Sequence, residues 1–422
     1  MKSIAVVSSH AALNEIIERA CAEFNGEFEA TFLQRADQTI EHLNYELPQL
    51  TLVNCSDPAF SAAQVVGAIR QDPWLHSGGL ILVYDQQTSC LLPAALRNLN
   101  IIATIEYGRL DFYVPRLLRI LSTNDAILYQ RDLHLMLGLN LSGAFALDND
   151  PFDLTTYANL ITNFLFNANL LDAERRDEFH LALMELLINA IEHGNCRISY
   201  EEKSAHLAGG GDPMELIRRK NEDPAINRRK VHLSYRIRPY ESEFIIRDEG
   251  DGFDWRSYHL PVGEAGLKEA HGRGIFMAIH YLGSLGYNDQ GNEVRFRIEH
   301  RSAARAMVPE MFADQEEQIV ADGDVVFTEG EKSSHLYYIV AGQYEVSVRG
   351  QRISTLTAAD IFVGEMSFLL NNRRSATVRA VGPGRLLRVS KQQFINTIKH
   401  KPYYGVFLAR LVAQRLVRSH PA

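Results

Sequence analysis

Short apolar runs alternate with segments of helical period in the first part of the chain. The apolar runs have the length of buried strands and lie at 4–7, 50–53, 80–83 and 101–104. Apolar residues at helical spacing lie between them, for instance at 12–24 and 62–70. Strands that alternate with helices predict a parallel sheet. We therefore expect residues 1–124 to form an α/β domain with a parallel sheet.

The middle of the chain orders its elements differently. A helical connector is predicted over 125–147, followed by a loop-like segment that begins at Asp148. In the next block, 148–302, helical patterns come first and strand patterns later, at 154–170, 175–193, 231–238, 242–248 and 293–298. Helices followed by strands predict an α+β domain.

The last block, 303–422, is rich in short strand patterns and glycine turns, and it closes with helical segments from Lys391 onward. This pattern predicts a jelly-roll-like β-roll with C-terminal helices. The final helix, predicted at 403–419, carries an apolar stripe of Tyr404, Phe407, Leu408, Leu411, Val412 and Leu416. The stripe fits a lid over a ligand, a part of the core, or a dimer seam.

Composition and charge narrow the classes of protein. The 422 residues are 46% hydrophobic and 23% charged, which is the balance of a folded chain of several domains. The formal charge of −9 makes nucleic acid an unexpected partner. Four cysteines without a Cys-x-x-Cys pair disfavour zinc sites and disulfides. Since no apolar stretch approaches the roughly 18 residues of a membrane span, we expect a cytoplasmic protein with no membrane partner.

The layout of the first domain resembles the receiver domain of response regulators. Receivers have paired acidic residues after the first strand, a phosphoacceptor Asp at the end of the third and a Lys after the fifth; this chain has Ser8 and Ser9, Asn54 and Glu106 there. An amide cannot form an acyl phosphate, and without clustered carboxylates nothing holds Mg²⁺. The resemblance therefore implies a degenerate, non-phosphorylatable receiver-like domain for docking or for a homodimer. The alternative is an unrelated flavodoxin-like domain.

Polar residues recur at helical spacing along 185–195 (ELLINAIEHGN). Glu185 and Asn189 share one helix face with Glu192 or His193, while the apolar residues between them pack inward. An Asn amide oxygen suits Mg²⁺, and a carboxylate one turn away can position or deprotonate a hydroxyl group. Taken alone, the pattern fits either a nucleotide site or a polar, solvated helix face.

Two glycine-rich clusters follow this helix. A strand at 244–247 runs into 248–254 (DEGDGFD), and a turn at 271–277 (HGRGIFM) precedes a helix. Glycines let the backbone approach a base or phosphates, a buried carboxylate can accept from an exocyclic amine, and N–H groups at a helix start can bind an anion. Each cluster alone is equally well a turn or an ordinary helix start.

In this order the three motifs resemble the N-box, G1-box and G2-box of the GHKL ATPase family, and most of all its anti-sigma-factor serine kinases. The resemblance covers 148–302 and implies an α+β (Bergerat) sandwich that binds ATP and Mg²⁺. It implies Glu185 as the general base, Asn189 as the Mg²⁺ ligand and Asp248 as the adenine reader. It also implies an ATP site that includes Gly250, Gly252, Gly272, Arg273 and Gly274.

The chain departs from this family in one place. Residues 196–230 form an insert where the family usually has a short loop, and this insert is a lid, a partner site or plain surface elaboration. Histidine kinases carry an acceptor His upstream. Here His134 and His180 are available, but neither has the usual acidic or basic neighbour, so His180 is interpreted as a packing residue.

A second signature lies in the last block, where a Gly364-Glu365 pair is followed by Arg374, Ser375 and Ala376. A carboxylate can accept from a ribose hydroxyl and a guanidinium can make a paired contact with a cyclic phosphate, although a Glu–Arg pair on a β-roll fits these two residues alone. Together with the strand and glycine rhythm at 326–346, the spacing resembles the phosphate-binding cassette of cyclic-nucleotide-binding domains. The resemblance implies that Glu365 holds the ribose, Arg374 and Ser375 hold the phosphate, and Gly364 makes the tight turn. It leaves cAMP and cGMP both open.

The three resemblances combine into one expected function. We expect a cyclic-nucleotide-regulated GHKL serine kinase of the anti-sigma-factor, partner-switching type, with ATP and Mg²⁺ as cofactors, cAMP or cGMP as allosteric ligand, and an anti-sigma antagonist or sigma factor as protein partner. Two alternatives stay open. One is a ligand-gated ATP-binding scaffold without kinase activity, and the other is an atypical histidine kinase.

Overall fold

The computed structural model describes residues 1–59, 61–72, 76, 78–85, 99–124, 127, 141–168, 170–238, 241–255, 273–300, 312, 314–370 and 373–419. Their strands form three separate sheets, one for each expected domain. None of the helices in these ranges is both long and apolar enough to cross a membrane.

The N-terminal domain is built on a five-stranded parallel sheet. The strand order is β2-β1-β3-β4-β5, as in flavodoxin-like folds. Its elements are β1 (Lys2–Val7), α1 (Ala11–Ala22), β2 (Phe28–Leu33), α2 (Ala36–Glu46), β3 (Leu50–Asn54), α3 (Ala62–Gln71), β4 (Gly79–Tyr84), β5 (Ile101–Glu106) and α4 (Leu110–Thr123). The four predicted strands are confirmed. The sequence pattern missed β2, an edge strand whose polar residues break the apolar run.

The second domain has an antiparallel sheet in the order β6-β7-β8-β10-β9, with helices packed against it. Its elements are β6 (Leu141–Leu147), α5 (Pro151–Asn167), α6 (Ala173–Asn189), α7 (Tyr200–Ala208), α8 (Pro213–Lys220), α9 (Pro224–Asn227), β7 (Val231–Ile237), β8 (Glu241–Arg247), α10 (Arg273–Leu282), β9 (Gly286–Tyr287) and β10 (Glu293–Glu299). The expected α+β architecture is confirmed. The side chains of Asp150 and Asp172 cap α5 and α6, because each accepts a backbone N–H of the first turn.

Two sequence-based boundaries in this domain are corrected. The helical connector expected over 125–147 ends in a strand, β6, which pairs with β7 along its whole length; Asn124 and Ile127 are described near its start, and 128–140 lie outside the described residues. Apolar residues on one face of β6 pack into the core, which favours the strand over the helix. The helix expected over 175–193 changes to a π-helical turn at Ala190–Asn195.

The third domain is an antiparallel β-roll with helices at its end, as expected. Its sheet runs β11-β16-β13-β14, with β12 paired to β16 and β15 to β13. Its elements are β11 (Glu316–Val320), β12 (Val325–Phe327), β13 (His335–Val348), β14 (Gln351–Thr357), β15 (Phe362–Val363), α11 (Glu365–Leu369), β16 (Thr377–Ser390), α12 (Lys391–His400) and α13 (Tyr403–Ser419). Tyr404, Leu408 and Leu411 of α13 are buried in the roll's own hydrophobic cluster, so this part of the apolar stripe packs as core. The side chain of Leu416 lies outside the described residues.

The N-terminal and second domains share a continuous core. Apolar residues of α4 and β5 belong to the same cluster as those of α5 and α6. Amide groups of α5 reach the edge of the parallel sheet, where Asn159 and Asn163 donate to the carbonyls of Ile102 and Ile101 at 3.0 and 2.8 Å. These contacts hold the two domains together as one packed unit.

A partly buried cluster of charged side chains joins the same two domains. The guanidinium of Arg116, on α4, donates to both carboxylate oxygens of Asp153 at 2.6 and 2.8 Å and to Asp148 at 2.8 Å. A paired guanidinium–carboxylate contact of this kind is geometrically specific and stronger than a neutral hydrogen bond. The Arg116–Asp153 contact therefore fixes the angle between the N-terminal domain and the start of α5.

The β-roll contacts the N-terminal domain through α13. The Tyr404 hydroxyl donates to the carboxylate of Asp72, at the end of α3, over 2.5 Å, and the two residues are buried. Arg410 donates to the carboxylate of Glu46 at 3.1 Å and to the carbonyl of Tyr45. Leu47 packs against the roll's hydrophobic cluster. The last helix of the roll therefore lies on the face of the parallel sheet formed by α2 and α3.

Candidate nucleotide-binding sites

One cavity of about 560 Å³ lies in the second domain between α6, the end of β8 and the start of α10. It brings together five residues that the sequence placed in an ATP site, namely Glu185, Asn189, Asp248, Gly252 and Gly274. Its other lining residues are Leu186, Ala190, His193, Gly194, Tyr200, Lys203, Ser204, Leu207, Ile246, Phe253, Ile275, Tyr287, Gly291, Asn292, Glu293 and Val294. Apolar walls with a few polar groups are typical of a small-molecule site.

Helix α6 supplies the polar side of this cavity. Glu185 and Asn189 are one turn apart, and His193 continues the same face into the π-helical turn. Glu192 does not line the cavity. Its side chain is buried and forms an ion pair with Lys203. Of the two residues that the helical spacing left open, His193 therefore lines the cavity.

Asp248 follows β8 directly and lies at the inner end of the cavity. It is 9% exposed, and burial raises the pKa of its carboxyl to about 6 although Gly250 donates a backbone N–H to it at 2.8 Å. Gly194 lies so close that a Cβ there would be 2.4 Å from Asp248 Cγ. A buried, raised-pKa carboxylate in a cleft is typical of a ligand-reading group.

Two glycines near Asp248 are required by the close approach of the backbone. Gly252 has a φ of +79° and its Cβ would lie 2.0 Å from the carbonyl oxygen of Gln290, while that of Gly250 would lie 2.3 Å from the carbonyl oxygen of Gly194. Gly252 lines the cavity; Gly250 supports Asp248 from behind. The glycine pattern is therefore explained by geometry at both positions.

The third motif is described only in part. Gly272 lies outside the described residues, as does the side chain of Arg273, whose backbone begins α10. Gly274 lines the cavity, and a Cβ there would lie 2.5 Å from Glu185 Oε2 and 3.5 Å from Asn189 Nδ2. The start of α10 therefore faces the two polar residues of α6 at close range.

The donors in this cavity fit Mg²⁺ only when nucleotide phosphates complete the set. Within the described ranges no group of three or more His, Cys, Asp or Glu side chains could hold a metal ion. Mg²⁺ is commonly bound by one or two protein oxygens together with phosphate oxygens and waters. The amide oxygen of Asn189 fits such a role, and Glu185 is near enough to act on a group beside it.

Behind Asp248 lies a buried amide network that the sequence did not reveal. Asn195 is fully buried, accepts the backbone N–H of Glu249 at 2.8 Å and donates to the side chain of Asn149 at 2.8 Å. Asn149 donates in turn to the carbonyl of Ile226 at 2.9 Å. A satisfied buried network of this kind fixes local geometry. Here it joins the loop that carries Asp248 to Asn149, the neighbour of Asp148.

The β-roll presents a second site at Arg374. This residue is 4% exposed, and its guanidinium lies 4.1 Å from the centre of the Phe327 ring. It donates to the carbonyls of His335 and Gly364 and to the Ser367 hydroxyl at 2.6, 3.1 and 3.2 Å. Within the described part of the chain it forms no ion pair with a carboxylate, and burial lowers its pKa. A buried guanidinium of this kind is a strong anion-binding group.

The residues around Arg374 match the expected cassette. Gly364 has a φ of +85°, and a Cβ there would lie 2.3 Å from the Arg374 guanidinium, so both the turn and the contact require glycine. Glu365 is buried at the first position of α11. Ser375 is exposed and Ala376 half-buried, directly after the arginine.

Among the described residues of the N-terminal domain, no open acidic pocket lies at the place where receivers have one. Asn54 donates to the Ser8 hydroxyl at 3.2 Å. Asp57 is buried and accepts from the backbone and hydroxyl of Ser9 and from the backbone of Ala59. Burial would raise the pKa of Asp57, but these donors outweigh it and hold the pKa below its ordinary value. The side chains are satisfied by one another.

Comparison with known families agrees with this geometry. The family model described as a histidine kinase-like ATPase domain matches residues 147–298, and the one described as a cyclic nucleotide-binding domain matches 317–401. The first match contains the cavity with Asp248, and the second contains Arg374 and its neighbours.

The chain is also similar to individual proteins. It is 36% identical over 81 residues to a cGMP-dependent protein kinase of Plasmodium berghei, covering 19% of this chain and 9% of that one. It is 30% identical over 130 residues to a cAMP-dependent protein kinase type II regulatory subunit of Drosophila melanogaster, covering 31% and 32%. The chain thus spans a third or less of the length of these relatives.

Among solved structures, the catabolite activator protein of Thermus thermophilus has 24% identity and a TM-score of 0.25, covering 27% of this chain and 58% of that one.

The family matches, the cavity and the cassette together identify the chain as one that carries a GHKL-type, histidine kinase-like ATPase domain followed by a cyclic nucleotide-binding domain.

Proposed function

We propose that the protein is a cyclic-nucleotide-regulated serine kinase of the anti-sigma-factor type. The observation that carries this proposal is the cavity itself, which brings Glu185, Asn189 and Asp248 to one place. In that arrangement Asp248 would accept from the exocyclic amine of adenine, and Asn189 would hold Mg²⁺ together with the phosphates. Glu185 would take the proton of a partner's seryl hydroxyl as the seryl oxygen bonds to the γ-phosphorus and ADP leaves. Arg374 and Glu365 bind cAMP or cGMP in the β-roll.

The placement of the histidines supports a partner's serine over a histidine of this chain as the acceptor. His180 lies on α6 but faces a small cavity against the N-terminal domain, together with Ile101 and Asn163. Burial lowers its pKa. His134 lies outside the described residues. A half-buried histidine at the contact between two domains is poorly placed to accept a phosphoryl group from ATP.

Phosphotransfer with labelled Mg-ATP tests the proposal. The protein is incubated with a partner-switching antagonist as substrate, and the stability of the label in acid is measured. We expect acid-stable phosphoserine on the antagonist. An acid-labile label on the chain itself would contradict the proposal and identify a histidine kinase, and ATP binding without any transfer would identify a scaffold.

We propose that the cyclic-nucleotide signal reaches the ATP site through the N-terminal domain. The roll contacts that domain at Asp72 and Glu46, and that domain contacts the ATPase domain through Arg116. Arg116 binds Asp148, whose neighbour Asn149 belongs to the amide network behind Asp248. A ligand that binds more tightly to one arrangement of α13 shifts the conformational equilibrium of the three domains towards that arrangement. The size of the shift is set by the difference between the ligand's affinities for the two arrangements.

We expect Tyr404→Phe to uncouple the two ligands. The change removes the hydrogen bond to Asp72 and keeps the ring, so cyclic-nucleotide affinity should stay within about twofold of the parent. Allosteric effects of about 5- to 150-fold are typical, and the shift in affinity for an ATP analogue on adding cyclic nucleotide should shrink towards one. Titration calorimetry measures both. Lys399→Ala, an exposed change on α12, is the control. A full shift in Tyr404→Phe would contradict this route.

We also expect ATP-site affinity to depend on pH through Asp248. Its carboxyl group is the stronger acceptor for the adenine amine when it is ionised, and a pKa of about 6 leaves roughly one-tenth ionised at pH 5. Adenosine affinity should therefore fall by up to about tenfold between pH 7.5 and pH 5. Adenosine is the probe because it carries no titrating phosphate, and Asp248→Asn should bind weakly at both pH values. Constant affinity in the parent protein would show that the carboxylate does not read the base.

A further inference from the structure

The insert at 196–230 is part of the nucleotide cavity. Its first helix, α7, contributes Tyr200, Lys203, Ser204 and Leu207 to the lining, which residues of the glycine-rich motifs also share. The sequence left this segment open as a lid, a partner site or surface elaboration. Its contact with the cavity distinguishes it from surface elaboration.

An ion pair attaches α7 to the π-helical turn that lies beside Asp248. Lys203 Nζ lies 2.5 Å from Glu192 Oε2, and Glu192 is 2% exposed. Glu192 belongs to the π-helical turn that also carries Gly194, which contacts Asp248. A buried carboxylate is costly without its cation, and losing one partner of such a pair is strongly destabilising. Lys203 therefore holds the turn that shapes the wall beside Asp248.

The rest of the insert fixes α7 in this position. Ser199 caps the helix by accepting the backbone N–H of Glu202. The Glu202 carboxylate lies 3.0 Å from Lys220 Nζ on α8, and Leu216 and Ile217 of α8 are buried in the main hydrophobic cluster. The helix is thus anchored to the core of the ATPase domain from its outer side.

Two large apolar side chains remain exposed inside the lining. Leu207, from α7, is 44% exposed and Phe253, from the glycine-rich loop after β8, is 36% exposed. Apolar surface in a ligand cavity is stabilised when a ligand covers it. A purine has apolar faces and lies beside Asp248 in the proposed function, so it is the part of the nucleotide best suited to cover these two side chains.

We propose that α7 of the insert is a specificity element of the ATP site. Leu207 contacts the base end of the bound nucleotide, and Lys203, acting through Glu192, is a positioning residue for the same wall. This inference rests on the proposed function, because it takes ATP as the occupant. It assigns to the insert a role in recognising a purine nucleoside rather than a phosphate or a protein partner.

Paired leucine variants of the full chain test the contact. Leu207→Ala should weaken adenosine binding by about fivefold to tenfold. Roughly half of the Leu207 side chain is exposed in the ligand-free protein, and the variant loses the apolar surface that the purine would cover. Binding of inorganic tripolyphosphate should be unchanged. Leu181→Ala is the matched control, since Leu181 is equally exposed at 47% on α6 and is not among the lining residues.

Each outcome decides the proposal. Equal adenosine affinities for Leu207→Ala and Leu181→Ala would overturn it, and so would an equal loss of tripolyphosphate binding. For the positioning residue, Lys203→Met should weaken adenosine more than tripolyphosphate, and Glu192→Gln with Lys203→Met should recover most of that loss. No recovery would assign Lys203 a different role. A parent protein that binds tripolyphosphate but neither adenosine nor ATP would overturn the proposed function as well.

Discussion

Glu185→Gln is expected to lower phosphotransfer to the partner serine by about 10²- to 10⁴-fold, the usual contribution of a general base. The amide keeps the size of the side chain beside Gly274 but cannot accept the seryl proton. Affinity for a non-hydrolysable ATP analogue should stay within about twofold, because the proposed role of Glu185 is in the reaction and not in binding. Single-turnover transfer and calorimetry measure the two quantities on the same preparation.

Glu174→Gln is the control for this variant, since Glu174 is exposed in the first turn of the same helix. Transfer should be unchanged there. If Glu185→Gln transfers phosphate at the parent rate, Glu185 is not the base. If the parent itself binds ATP without transfer, the cavity serves as a conformational clamp.

Arg374→Ala is expected to weaken cyclic-nucleotide binding by at least about 100-fold. Hydrogen bonds to charged groups contribute roughly 1.5–3 kcal/mol each, and a guanidinium offers two parallel ones to a phosphate. The arginine is already buried and oriented by Gly364, Ser367 and His335, so little ordering is required when the ligand binds. Calorimetry with cAMP and with cGMP measures the loss and also ranks the two ligands.

Two further variants keep this second prediction open to contradiction. Arg374→Lys retains the charge but not the planar fork, so its affinity should lie between those of the parent and of Arg374→Ala. Arg352→Ala removes an exposed arginine on β14 and should bind as the parent does. Thermal melting of each variant separates lost binding from a lost fold. Unchanged affinity in a folded Arg374→Ala protein would contradict the assignment of the phosphate site.

Local patterns in the sequence were sufficient to predict much of the fold, and they picked out several residues that line the candidate ATP cavity. The buried strands of the N-terminal sheet are continuous apolar runs, as parallel strands covered on both faces must be. Glu185 and Asn189 share a face by helical spacing alone. The sequence predicts a tight turn at Gly364, and its φ of +85° agrees with that turn, whereas the close approach of Gly364 to Arg374 is seen only in the structure.

Features that depend on distant parts of the chain could not be predicted in this way. Tyr404 and Asp72 are 332 positions apart, and their hydrogen bond follows from how three folded domains pack. The alternation of apolar and polar residues in β6 is weak, and pairing with β7 is what makes this segment a strand. The roles of Asn149 and Asn195 arise only where loops from different elements meet in the interior.

The satisfied polar cluster of the N-terminal domain has a consequence for how long a signal lasts. Asp57 is occupied by Ser9 and Ala59, and an amide stands at Asn54, so we expect this domain to carry no phosphoryl mark. Under the proposed function, the state of this domain then depends only on the bound ligand and not on a covalent record. We therefore expect the protein to return to rest within the residence time of the cyclic nucleotide, which is set by its dissociation rate.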